Sequence, residues 1–275
     1  MALKKRKPTT PSMRGRVDLV VKYFQSDKKQ KTLMAPLKGP KGRSWGKVSM
    51  RHQSRGVKKH YRLIDFKRDK FDVPGVVASI EYDPNRNVSI SLVKYVDGEK
   101  RFILTPRELK VGDKIISSET APIKAGNSLK IANIPLAVPI HNIEIHPGKG
   151  GQMVRSAGTF SVITAKEGKY ANISMPSGEV RKVLLECRAT IGELGNEDFK
   201  NRKIGKAGRK IYMGIRPTVR GISYSNPRDH AHGGSYRTAG IGRNPVSPTG
   251  VPAKGFKTRK RKHTLIYKVK DRRKK

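Results

Sequence analysis

Val76-Val-Ala-Ser-Ile-Glu-Tyr-Asp83-Pro-Asn-Arg86-Asn-Val-Ser-Ile-Ser-Leu92 is the stretch that decides the fold. Val76, Ala78, Ile80 and Tyr82 alternate with Val77, Ser79, Glu81 and Asp83, which is the two-residue period of a strand. Asp83-Pro84-Asn85-Arg86 closes the run as a turn, and Val88, Ile90 and Leu92 then resume the same period. Two antiparallel strands follow. Downstream, Asp97-Gly98 suits a type I′ hairpin joining Leu92–Val96 to Arg101–Thr105, because both central residues of that turn need positive φ. Lys114-Ile-Ile-Ser117 supplies another strand. Short strands without a long helical period predict a small closed or half-closed barrel of the oligonucleotide-binding (OB) type over residues 63–126.

Working outward toward the C-terminus, five further strand-like runs lie at Leu129–Leu136, His141–Ile145, Thr159–Thr164, Tyr170–Met175 and Val180–Leu185. Pro147-Gly148-Lys149-Gly150-Gly151 and Pro176-Ser177-Gly178 separate them. Their number and spacing predict an SH3-like barrel over residues 127–200. The fold class is therefore mainly β: an OB-type barrel, then an SH3-like barrel, with long basic extensions at residues 1–62 and 201–275.

Charge draws the same boundaries. The chain carries a net charge of +40, divided as +17 in residues 1–62, +3 in residues 63–200 and +20 in residues 201–275. The middle is nearly neutral, whereas the flanks repel themselves and cannot bury enough apolar surface to offset their ordering entropy. They are expected to have little structure of their own and to order against a polyanion. In the N-terminal flank only Val17–Phe24 reads as a short strand or helical turn; Pro and Gly interrupt every other apolar period. No tandem repeat is present.

Composition excludes several function classes. Cys187 is the only cysteine, so neither a disulfide framework nor a four-thiolate metal site can form. It sits in the apolar run Val183–Cys187 and reads as a small buried hydrophobe rather than a nucleophile. No run approaches the length of a membrane span, and the N-terminus lacks the apolar segment of a signal peptide, so neither secretion nor membrane insertion is expected. A cytoplasmic location follows, with organelle import a weaker alternative.

Three constellations could carry chemistry. Arg51-His52-Gln-Ser-Arg55-Gly56-Val-Lys58-Lys59-His60-Tyr61-Arg62 mixes phosphate-pairing guanidiniums, point-charge ammoniums and stackable rings, as single-stranded or looped RNA requires. Gly148-Lys149-Gly150-Gly151 lacks the spacing and trailing Lys-Ser/Thr of a P-loop; it reads either as a tight turn whose bare backbone could lie along a nucleic-acid strand or as an ordinary β-turn. Asp229-His230-Ala231-His232-Gly233-Gly234 places a carboxylate beside two imidazoles. It is two ligands short of a closed zinc site and lacks an evident nucleophile, so it reads as a loop held by RNA, not as a metal or catalytic centre.

With these residues in view, a family resemblance emerges. Arg62-Leu-Ile-Asp65-Phe66-Lys67-Arg68, Ile80-Glu-Tyr-Asp-Pro-Asn-Arg86, Asp97-Gly-Glu-Lys-Arg101, Ala121-Pro-Ile-Lys124, His141-Asn-Ile-Glu144, Pro147–Gln152, Arg155-Ser-Ala-Gly-Thr159, Ala165-Lys-Glu-Gly168, Pro176-Ser-Gly-Glu179, Gly205-Lys-Ala-Gly-Arg209, Arg216–Gly221 and Asp229–Gly234 resemble large-subunit ribosomal protein two of the bacterial type along nearly the whole chain. The resemblance implies a primary binder of large-subunit (23S-type) ribosomal RNA, with extensions threaded into that RNA near the peptidyl-transferase region. It also implies support of subunit association, tRNA binding and peptide-bond formation. Implied partners are the RNA, the small subunit across an inter-subunit bridge and neighbouring ribosomal proteins, with no membrane and no homo-oligomer. No catalysis by the chain itself and no cofactor are implied, although Mg or K ions could enter through the RNA.

On this reading the RNA-contacting residues are Arg51, His52, Arg55, Lys58, Lys59, His60, Tyr61, Arg62, Lys67, Arg68, Arg86, Lys149, Arg155, Lys206, Arg209, Lys210, Arg216, Arg220, Arg228, His230, His232, Arg237, Arg243, Lys254, Lys257 and Arg259. The peptidyl-transferase-proximal loop would comprise Asn226, Asp229, His230, His232, Gly233 and Gly234. The sequence departs from the family pattern at Ser225, Ala231 and Ser235-Tyr236-Arg237, and Gly42-Arg43-Ser44-Trp45-Gly46-Lys47 replaces an Asn-rich stretch. Two competing readings make different predictions. A DNA-compacting protein would bind duplex DNA and ribosomal RNA equally at matched salt, and an enzyme built on Asp229, His230 and His232 would turn over substrate without RNA.

Overall fold

The computed structural model describes residues 2–21, 30–37, 39, 42–45, 47–226, 230–234, 244–248, 250–255 and 266–268. It divides into two compact units. One comprises residues 1–38, 58–206 and 264–275; the other comprises residues 39–57 and 207–263.

In the first unit, β1 (Ala2–Lys5) pairs antiparallel with β2 (Val17–Val20), and α1 (Pro11–Arg14) lies between them in sequence. The expectation that this arm is largely unstructured needs correction. Asp18, one of two acidic residues in the arm, takes the Nε of Arg6 at 2.7 Å and the Nε of Arg16 at 2.8 Å, which relieves the local repulsion. Backbone bonds in both directions between Val17 and Lys203 tie β2 to the end of the central region. Only Val17–Val20 of the apolar run is strand; residues 22–24 lie outside the described residues. β3 (Met34–Pro36) pairs with β6 (His60–Arg62), so Tyr61 and Arg62 sit on a strand.

The first barrel is a four-stranded antiparallel sheet in the order β10 (Lys114–Ile115), β7 (Gly75–Glu81), β8 (Ile90–Tyr95), β9 (Lys100–Leu104). A parallel bridge from Ile64 to Phe102 continues it past β9. The core phase of β7 differs from the alternation read in sequence. Val77 and Ser79 are buried, whereas Val76 and Tyr82 are exposed. The pairing register with β8 slips between Val77 and Ser79, yet Gly75, Val77 and Ser79 all stay on the buried side. The hairpin at Asp97-Gly98 is also not type I′. Only Gly98 has positive φ, at 84°, while Tyr95 N–H donates to Glu99 O and Gly98 N–H to Tyr95 O. That is a three-residue loop closed by a glycine bulge.

The second barrel is a seven-stranded sheet ordered β11 (Ser128–Lys130), β16 (Arg188–Ile191), β12 (Pro139–His141), β13 (Ser161–Glu167), β14 (Tyr170–Ser174), β15 (Val180–Leu184), β17 (Ile266–Lys268). Leu129–Leu136 is not one strand, because a 3-10 turn over Ile131–Asn133 ends it. The run at His141 stops where Asn142 takes φ 50°. Arg188–Ile191, hidden behind Cys187 in the sequence, is the strand that joins β11 to β12. Its core gathers Leu129, Ile131, Ile134, Ile140, Ile143, Ile163, Ile173 and Cys187, all fully or nearly fully buried.

Backbone hydrogen bonds stitch the two barrels together. Arg107 N–H donates to Glu193 O at 2.8 Å, Gly195 N–H to Thr105 O, Gly126 N–H to Ile191 O and Gly151 N–H to Phe66 O at 2.8 Å. The Asn196 amide reaches back to Asn87 O at 2.9 Å. In the second unit, β4 (Arg43–Ser44) and β5 (Lys47–Val48) form a minimal hairpin, and α2 (Ala207–Tyr212) is its longest described helix. Among the described residues no helix is long and apolar enough to cross a membrane.

Candidate nucleic-acid interface

Part of the positive charge of the middle region is paired within the fold. Arg101 is ion-paired with Asp65 at 3.0 Å, Glu99 at 2.6 Å and Asp69, and Lys70 with Glu99 at 2.6 Å and Asp97. The guanidinium of Arg101 and the ammonium of Lys70 hold the Glu99 carboxyl down to about 2. These cations are committed. Charge available to a polyanion must come from elsewhere.

In the first unit it gathers around one aromatic ring. Arg155 stacks over Phe66 at 4.5 Å and Arg86 lies over the same ring at 5.4 Å and over Tyr61 at 5.0 Å. Thus three expected contacts, Tyr61, Arg86 and Arg155, are brought together by the Asp83–Arg86 turn, β6 and the loop before β13. Arg86 is held on both sides: Nη1 pairs with Asp83 Oδ2 at 2.7 Å, and Nη2 donates to Tyr61 Oη at 2.7 Å. Asp83 is 0% exposed, so this pair is part of the fold. Arg86 is therefore a positioning cation for Tyr61 with a small accessible edge, not a free phosphate ligand. Asn85 Nδ2 donating to His60 O at 2.7 Å latches β6 to the same turn. Lys58, Lys67, Lys149, Arg155 and Lys206 are exposed, Lys59 is half-buried, and Arg62 turns Nη1 toward His60 O at 3.4 Å.

Arg68 does not belong among surface contacts. It is 3% exposed, its Nη2 donates to Gly126 O at 2.9 Å, and Asp65 Oδ1 caps its backbone N–H at 2.7 Å. The sequence placed it beside Lys67 in a basic dipeptide, but a left-handed backbone at φ 52° swings it into the seam between the barrels.

The glycine-rich loop is likewise not a backbone rail for nucleic acid. Glu144, 2% exposed, accepts Gly150 N–H on Oε1 at 2.9 Å, and Gly148 N–H at 3.3 Å and Arg188 N–H at 3.0 Å on Oε2. Lys149 N–H donates to His146 O, and Gly151 N–H to Phe66 O. All four loop amides are spent on the protein. A buried carboxylate occupies the anion nest that a phosphate would need. What the loop offers outward is the Lys149 ammonium.

In the second unit the segment Arg51–Val57 is laced to Tyr212–Arg216. Ser54 N–H donates to Gly214 O at 2.8 Å, Val57 N–H to Tyr212 O at 2.9 Å and Arg216 N–H to His52 O at 2.9 Å. Gly56, at φ 63°, is the point of closest approach: a Cβ there would lie 2.5 Å from Tyr212 O. The close backbone contact at this glycine is made within the chain. Arg51, Arg55, Lys210, Arg216, Arg220 and Lys254 are exposed, and Arg209 and His52 half-buried.

The histidine loop is built from glycines and rings. His230 stacks on Tyr224, with centroids 5.5 Å apart and planes at 19°, and lies so close to Gly221 that a Cβ there would meet the imidazole at 2.3 Å. Gly233 N–H donates to His230 O at 2.8 Å and Gly234 N–H to Tyr224 O at 2.9 Å. His232 Nε2 accepts Val246 N–H at 2.9 Å. That bond engages Nε2, so His232 is committed to holding the loop. Asn226 is exposed at the loop's entry. Arg228, Asp229, Arg237, Arg243, Lys257 and Arg259 lie outside the described residues. Among the described residues no three His, Cys, Asp or Glu side chains converge as metal ligands would.

The model of the RNA-binding N-terminal domain of ribosomal proteins L2 matches residues 30–117, and that of their C-terminal domain matches residues 124–250. The chain belongs to the ribosomal protein L2 family. It is accordingly a constituent of the large ribosomal subunit that binds RNA, and its place is in the ribosome. Two residues that organise the L2 surface escaped the sequence reading: Phe66, on which Arg86 and Arg155 converge, and Glu144, which fills the loop from within. Phe66 could have been found as the aromatic residue beside a basic pair. Nothing local marks Glu144.

Proposed function

We propose that this L2-family chain is a primary binder of large-subunit ribosomal RNA next to the peptidyl-transferase region. There it supports subunit association, tRNA binding and peptide-bond formation by positioning RNA, and it has no catalytic group of its own. One observation carries the reading. Arg101 and Lys70 are neutralised internally, whereas Lys58, Lys67, Lys149, Arg155 and Lys206 of the first unit and Arg51, Arg55, Lys210, Arg216, Arg220 and Lys254 of the second are exposed, so each unit carries accessible positive charge. Phosphate contacts of this kind position an RNA without reading its bases. His232 locked to Val246 and His230 stacked on Tyr224 favour a scaffolding role for the loop over acid–base chemistry.

The test uses the full chain with Lys206, Lys210, Arg216 and Arg220, all exposed, changed to Gln. Binding to large-subunit RNA should weaken, and the slope of log affinity against log salt should flatten by about 3, at roughly 0.7–0.9 per phosphate contact removed. An unchanged slope would refute the assignment. Subunits carrying His230→Gln should still form peptide bonds within about threefold of the parent rate, because general acid–base catalysis contributes roughly 10²–10⁴-fold where it operates.

A further inference from the structure

Trp45, the only tryptophan of the chain, is 98% exposed. It occupies the first loop position of the minimal hairpin formed by β4 and β5, whose register pairs Arg43 with Val48 and Ser44 with Lys47. Its backbone is left-handed, at φ 52°. Asn, Asp and Gly adopt that conformation readily in such loops, and a bulky aromatic residue does so only against its intrinsic preference. Local structure therefore gives no reason for tryptophan here. The hairpin closes through Ser49 N–H donating to Gly42 O at 3.0 Å, which the loop residue does not affect. A large indole held outward in a strained conformation, with essentially none of its surface covered, is an unfilled contact.

The surroundings specify what fills it. Residues 39–57 contain five Lys or Arg and no acidic residue, and residues 207–263 of the same unit contain 13 Lys or Arg and one acidic residue. A ring presented from so cationic a unit calls for a partner that is both anionic and flat. Nucleobases supply a π-face on a polyanionic backbone, and stacking on tryptophan requires no particular base. We propose that Trp45 is a stacking platform for an unpaired or terminal base of the large-subunit RNA, with the flanking cations holding the adjacent phosphates. This rests on the reading of the chain as a binder of that RNA and adds to it a specific residue and mode of contact.

The experiment exploits the single indole. Full-length chain is titrated with a large-subunit RNA transcript while Trp45 emission and its quenching by acrylamide are followed. Saturation with RNA should lower the acrylamide quenching constant severalfold. Trp45→Asn keeps a residue suited to the left-handed turn but removes the ring, and should weaken binding about tenfold. Trp45→Phe, which restores a π-face, should recover most of that loss. The salt slope should be the same in all three proteins, since the ring carries no charge. RNA that binds with an undiminished salt slope but leaves Trp45 as open to acrylamide as before would overturn the inference alone, as would an unaffected Trp45→Asn. Absence of RNA binding altogether would overturn both this inference and the function on which it rests. Anionic phosphatidylglycerol vesicles form the control: shielding of Trp45 by vesicles but not by RNA would also refute stacking.

Discussion

Removing the Glu144 carboxylate tests whether the glycine-rich loop is a structural device or a nucleic-acid rail. Two of its bonds are short and buried on at least one side, Gly150 N–H at 2.9 Å and Arg188 N–H at 3.0 Å; the third, from exposed Gly148, is 3.3 Å and can be replaced by water. A hydrogen bond to a charged acceptor contributes about 1.5–3 kcal/mol, so Glu144→Ala should cost roughly 3–6 kcal/mol. Glu144→Gln should cost about 2 kcal/mol, because its amide places a donor against an N–H on one side while the other oxygen still accepts. For a body of this size each kcal/mol moves Tm by about 2–4 °C, which puts the Ala variant roughly 6–24 °C below the parent. Urea and thermal unfolding of the full chain followed by circular dichroism would measure both. A Gln variant as stable as the parent would refute the nest. If the loop amides were instead reserved for phosphate, deleting the competing carboxylate would raise RNA affinity; no such rise is expected.

Two other outcomes follow from buried groups. His141 is fully buried, and that burial pushes its imidazole down to about 4, with Nδ1–H donating to Gly192 O at 2.7 Å. The folded state therefore binds the proton less tightly than the unfolded chain, whose histidine titrates near 6.5. Stability present above pH ~6.5 should decline by up to about 3 kcal/mol as pH falls to 4, and His141→Asn should flatten that decline in pH-dependent urea melts. Cys187 is buried, and its thiol is pushed up to about 12, so it should resist a thiol reagent at pH 8 and react fully in denaturant. Rapid labelling of the native chain would contradict the packing.

Much of this was legible because it follows from period and punctuation. Strands at Ile90–Tyr95, Tyr170–Ser174 and Val180–Leu184 lie where alternation and turn residues put them. Failures came where alternation leaves the buried side open, one residue ends a strand or a distant group intervenes. Alternation alone does not say that Val77 and Ser79, not Val76, make the buried side of β7, and the positive φ of Asn142 ends a strand that its apolar neighbours would continue. At the candidate site, Tyr61, Arg86 and Arg155 were named from type and charge alone. That Asp83 would claim Arg86 lay within reach of the turn, three residues apart, whereas the inward turn of Arg68 to Gly126 and the bond from Arg188 to Glu144 join residues 58 and 44 positions apart, which no local pattern encodes.

The stitches between the barrels have a consequence for biosynthesis. Thr105 and Arg107 find their partners only at Gly195 and Glu193, and Asn87 only at Asn196. At translation rates of about 5–20 residues per second, the leading half of this polypeptide must wait several seconds outside the exit tunnel with its seam open. That interval, during which unsatisfied edges face a crowded cell, is when a chaperone would have the most to do.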